Sequence, residues 1–63
     1  MKQIPMAAAR IAKGLTQKEL AEKMGVSRQT VLEWENGKRQ IKQAYLYLFC
    51  KITGFAEEDI LLP

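Results

Sequence analysis

Apolar residues in this chain recur three and four places apart, and no run alternates apolar with polar over the length of a strand. Leu20, Ala21 and Met24 fall at i, i+1 and i+4, one face of a helix at 3.6 residues per turn. Val31 and Trp34 fall at i and i+3 on a second helix with a polar outer face. Between them lie Gly25 and Val26. A two-helix corner needs close backbone approach on its inside and a residue tolerant of positive φ at its bend, which Ala21 and Gly25 supply. Val26 is placed to plug the angle. Residues 17–36 therefore predict two short helices joined by a tight turn, a unit whose second helix is usually presented to the major groove of DNA.

Four glycines punctuate the pattern. Gly14, Gly25, Gly37 and Gly54 each follow a helix-like segment, where a left-handed residue ends helices. Five helices result. The first runs from position 5 or 6 to 12, with Pro5 suited to a first turn and Ala7, Ala8 and Ala9 supplying propensity. The second is capped by Thr16, with Glu19 three residues on completing a capping box. Ser27 caps the third, which ends near Asn36. The fourth spans roughly residues 41–53, with Tyr45, Leu48, Phe49 and Ile52 as its buried stripe. The fifth covers about 57–61. Its first turn holds Glu57, Glu58 and Asp59, where the helix dipole favours negative charge, so these acids read as helix starters before any acidic patch. No strand, repeat, linker or low-complexity segment is visible.

Sixty-three residues allow one domain, residues 1–63, with a small core. One cysteine, Cys50, excludes an internal disulfide and fits a reducing compartment; in the run Leu48-Phe49-Cys50 it reads as buried. With no histidine, the commonest general base and metal ligand are missing. No stretch approaches the ~20 apolar residues of a membrane span, and the amino end has no signal core. The expectation is a cytoplasmic chain without membrane, metal, cofactor or small-molecule ligand. The net charge of +3 understates its basicity, because the last seven residues carry three acids and no base. The first 56 then hold all ten bases against Glu19, Glu22, Glu33 and Glu35, which favours a polyanionic partner. An enzyme is not indicated. Glu19 and Glu22 are a surface pair with no nucleophile, and Gly25-Val26-Ser27 is a turn and cap with no preceding strand.

The stretch GLTQKELAEKMGVSRQTVLEWENGK, residues 14–38, resembles the helix-turn-helix domains of phage repressors and Cro almost residue for residue. More loosely, ARIAKG resembles the end of that family's first helix and GFAEEDIL its closing segment. Three features depart from the family pattern. The loop KRQIKQ lacks a proline after the N-G-K turn, Thr53 stands where an aliphatic residue is usual, and the first helix has almost no amino-terminal extension. The resemblance implies an all-α, compact five-helix lambda-repressor-like domain with its helix-turn-helix at helices 2–3. It implies a transcriptional regulator, most simply a repressor, that binds double-stranded DNA.

Stepping 100° per residue from Val31 groups Val31, Trp34 and Glu35 toward the core. Gln29 and Glu33 point away, Thr30 and Leu32 lie on the flanks, and Arg28 sits in the first turn. In this architecture the first residues of the helix meet base edges. Arg28 suits guanine O6 and N7, Gln29 suits adenine N6 and N7, and Thr30 a phosphate or thymine methyl. Glu33 either accepts from cytosine N4, orients Arg28 or Gln29, or is a solvated helix glutamate. Leu32 either touches a thymine methyl or packs against the first or fourth helix, with the core preferred.

Helix amino ends bind anions, which places Thr16, Gln17 and Lys18 on the DNA backbone, and by resemblance Gln17 is the family's phosphate-binding glutamine. The turn from Asn36 through Lys38 and Arg39 offers an amide and two cations, and Lys42 adds a third. Glu35 faces inward and a buried carboxylate needs a partner. The resemblance pairs it with Arg10. Trp34 is core. A homodimer on a pseudo-palindrome is expected, formed either in free solution or only on DNA. Phe55, Ile60, Leu61 and Leu62 offer either its interface or, for the first three, closure of the core. The rival is a protein-binding helical module such as an antitoxin, antirepressor or co-regulator; RNA is a weaker third partner.

Overall fold

The computed structural model describes residues 2–63. They form β1 (Ile4–Pro5), α1 (Met6–Ala12), α2 (Gln17–Met24), α3 (Arg28–Asn36), α4 (Gln43–Thr53), one 3-10 turn (Glu57–Asp59) and β2 (Ile60–Leu61). Local chemistry fixes the central pair. The Glu19 amide donates to Thr16 Oγ1 at 3.1 Å and the Thr16 amide to Glu19 Oε1 at 2.8 Å, which starts α2. Gly25 takes φ +70°, and the Val26 amide returns to the Ala21 carbonyl at 3.0 Å, which ends it. Ser27 Oγ then accepts the Thr30 amide at 3.1 Å and starts α3.

The inward stripes of α2 and α3 are as their periodicity predicts. Leu20, Ala21, Met24, Val31 and Trp34 are buried, with Val26 half-buried in the corner. Met6 and Ala9 of α1 and Phe49 of α4 close the other sides, and Phe49, Met6, Leu20 and Val31 are fully enclosed.

Four expectations are corrected here. Among the described residues there are four α-helices, not five. Residues 57–59 make a single 3-10 turn, after which Ile60 and Leu61 extend and pair in parallel with Ile4 and Pro5. The driving feature is Ile60, which is buried only if the chain leaves the helical path and lies beside β1. Those four residues are also the strands that periodicity did not reveal, since a pair of residues is too short to show alternation.

Second, α4 starts at Gln43 instead of 41. Ile41 is buried from the loop, and Lys42 stays extended (φ −74°, ψ 153°) as a cap without a side-chain hydrogen bond. Third, the stripe of α4 is turned by one residue. Leu46, Phe49, Cys50 and Thr53 are buried, Leu48 and Ile52 only partly, and Tyr45 is exposed against Trp34, ring centroids 5.4 Å apart. Apolar residues surround nearly all of this helix, so its period does not choose a face. Thr53 fits the core because its hydroxyl donates to the Phe49 carbonyl at 2.9 Å. Fourth, Leu32 is exposed and not packed in the core.

Candidate nucleic-acid interface

The surface around α3 is built on a locked underside. Arg10 of α1 donates through Nε to Glu35 Oε2 at 2.7 Å and through Nη2 to Oε1 at 3.3 Å, with both side chains almost wholly buried. Its Nη1 also holds the Leu15 carbonyl at 3.0 Å. Gln17, the first residue of α2, donates its side-chain amide to the same Glu35 Oε1 at 3.0 Å. One carboxylate on α3 thus ties α1 and the start of α2 to the helix above it, and Arg10 adds the α1–α2 loop. Burial is tolerable because each carboxylate oxygen has at least one donor, two of the three contacts coming from a cation.

Above this frame, Arg28 and Gln29 project as exposed residues from the first turn of α3. Among the described residues Arg28 enters no ion pair or side-chain hydrogen bond. Thr30 is half-buried, and its hydroxyl lies 3.0 Å from Ser27 Oγ, which ties it to the helix cap. Glu33 has each carboxylate oxygen engaged. Oε1 accepts from Arg39 Nε at 2.8 Å and Oε2 from Gln29 Nε2 at 3.2 Å. The Arg39 hydrogen bond, then the Gln29 one, hold the Glu33 carboxyl below the usual carboxylate range, so it is ionised at neutral pH.

The residues expected to hold the DNA backbone lie at the rims. At the start of α2 the capping box leaves the Gln17 and Lys18 amides as its open donors, with Lys18 exposed. Gln17 is half-buried by its bond to Glu35, which leaves one of its two amide hydrogens for a further acceptor. At the far end of α3, Asn36 Oδ1 accepts the Lys38 amide at 3.0 Å and Gly37 turns left-handed at φ +83°. That turn carries Arg39 back over the helix, and its amide donates to the Glu33 carbonyl at 3.2 Å. Lys38 and Lys42 are exposed cations beside it, and Lys42, Arg39 and Tyr45 share a shallow hollow with Val26, Thr30 and Trp34.

Two engagements escape the linear sequence. Gln29 and Glu33 are helix neighbours at i and i+4, so their bond is legible from spacing. Glu33 and Arg39 are six apart across a helix end, and only the Gly37 turn joins them. Gln17 to Glu35 is a contact between helices with no spacing signal at all. Among the described residues no group of three or more acids or cysteines is arranged to hold a metal. Among the same residues no helix is long and apolar enough to cross a membrane.

Comparison with known proteins matches this geometry. A family model described as Helix-turn-helix covers residues 6–60. An uncharacterized HTH-type transcriptional regulator of Methanocaldococcus jannaschii is 42% identical over 48 residues, which are 76% of this chain and 73% of that protein. The crystal structure of the clp gene regulator ClgR from C. glutamicum superposes with a TM-score of 0.78 at 31% identity, over 86% of this chain and 70% of that one. A hypothetical transcription factor, NHTF, from Neisseria gives 0.80 at 31% identity, over 92% and 65%.

Proposed function

Since this chain belongs to the helix-turn-helix family, in its XRE and lambda-repressor-like branch, we propose that it binds double-stranded DNA sequence-specifically through the major groove and so represses transcription. The supporting observation is the set of exposed groups around α3. Arg28 and Gln29 are exposed at its start, Gln29 with one amide hydrogen held by Glu33, and the open amides of α2 and the cations Lys38, Arg39 and Lys42 flank it. Base-edge groups in the middle with anion-binding groups at the rims is the division of labour that groove recognition needs. Arg28, Gln29, Thr30 and Glu33 face the bases in this reading. Thr16, Gln17, Lys18, Asn36, Lys38, Arg39 and Lys42 hold the backbone. Repression is the simplest regulatory outcome because occupancy of an operator is sufficient for it.

One small domain covers few base pairs, so two copies on a pseudo-palindrome are proposed, with half-sites about 10–10.5 bp apart or a multiple of that. The exposed Leu61 and Leu62 support a self-contact, whereas Ile60 is already used by the core. Selection of bound duplexes from a random pool tests the reading. A recovered consensus, bound roughly a thousandfold tighter than random duplex, is the expected result. Recovery of random sequence overturns it.

A further inference from the structure

The geometry points to Glu33 as the specificity-setting partner of Gln29: by holding one amide hydrogen of Gln29 it makes that residue accept adenine and reject guanine. The inference rests on the DNA-binding reading above and extends it to a base identity. An ionised carboxylate only accepts hydrogen bonds, so the Gln29 atom facing it has to be nitrogen and not oxygen. Nε2 lies 3.2 Å from Glu33 Oε2. With one hydrogen engaged there, Gln29 has one N–H and its carbonyl oxygen left. Adenine offers an acceptor at N7 and a donor at N6, which matches that pair. Guanine offers acceptors at both N7 and O6, and its O6 would meet the lone pairs of the Gln29 carbonyl. A glutamine without the clamp can turn its amide and give both hydrogens to guanine.

Arg39 completes the device. Its Nε bond to Glu33 Oε1 at 2.8 Å holds the carboxylate in place and offsets a negative charge that otherwise faces the DNA. The left-handed Gly37 and the Arg39 amide bond to the Glu33 carbonyl fix Arg39 in that position. The Arg39 side chain is 57% exposed, so the pair adds little to stability and its value lies in orientation.

The test uses the duplex selected by the wild-type protein and its single-base replacements. Gln29→Ala identifies the position that Gln29 reads, as the one where the adenine-to-guanine affinity ratio collapses. At that position the wild type should favour adenine by roughly 5- to 150-fold, the range for a good bidentate contact. Glu33→Gln and Glu33→Ala should each bring the ratio within about threefold, mainly by gaining affinity for guanine, with Trp34 fluorescence reporting a retained fold. An unchanged ratio in both variants overturns the role of Glu33 and leaves sequence-specific binding standing. A wild-type preference for guanine at the Gln29 position overturns it without any Glu33 variant. If the pool yields no preferred duplex, the DNA-binding reading and this inference fall together.

Discussion

Glu35 and Glu33 lie two residues apart on one helix and show how placement alone divides two identical side chains. Glu35 is beneath α3, nearly buried, and satisfied by Arg10 and Gln17. Glu33 is on the outer side, and its partners Gln29 and Arg39 are themselves candidate DNA contacts. The consequences of mutation differ accordingly. Arg10→Met leaves a buried carboxylate with only the Gln17 amide, and should cost ~3 kcal/mol of stability, toward the low end for breaking a buried pair. Urea denaturation followed by Trp34 fluorescence measures it. A variant that unfolds like wild type yet loses DNA affinity contradicts the structural role given to Arg10. The helical wheel placed both glutamates on their sides correctly, but of their partners only Gln29 lies on the same helix; Arg10, Gln17 and Arg39 come from chain segments that only folding brings near.

The elements with explicit start and stop chemistry are those whose limits the sequence predicts. α2 and α3 have hydroxyl caps and left-handed glycines, and both run where those residues place them. Thr16→Ala should therefore destabilise the protein by ~1 kcal/mol through loss of the α2 cap. The same box predicts a pH dependence. The Thr16 amide, then its hydroxyl, lower the Glu19 pKa from 4.5, so the carboxylate stabilises the fold above that value. This contribution is lost as pH falls through the lowered folded value, because the unfolded chain then binds the proton more readily. Stability curves between neutral and acid pH should lose that part of their slope in Glu19→Gln; an identical slope contradicts the assignment. α4 has no hydroxyl cap, and there packing decides. Burial of Ile41 delays its start, and the choice among apolar faces turns Tyr45 outward and Leu46 inward. The closing segment follows the same rule, since pairing Ile60 with Ile4 outweighs the helix-favouring acids before it.

For the whole molecule, ten bases against seven acids become a binding surface only through their distribution. Lys38, Arg39 and Lys42 collect at one end of α3, while Glu57, Glu58 and Asp59 lie in the turn before β2. Binding should therefore weaken steeply with salt, each neutralised phosphate contributing about 0.9 to the slope of log K against log salt. Lys38→Ala should weaken all duplexes alike and lower that slope by about one, read from salt titrations of the selected and a random duplex. A change confined to the selected duplex would assign Lys38 to base reading instead. By itself the sequence determined the α2–α3 corner, its caps, its buried stripes and the exposure of Arg28 and Gln29, because these depend on interactions within a few residues of each other. Tertiary structure alone decided the face of α4, the parallel pairing of Ile4–Pro5 with Ile60–Leu61, and the bonds of Glu33 to Arg39 and of Glu35 to Gln17. Each of these joins groups that no local period relates, and each is selected by burial or by the need of a carboxylate for donors.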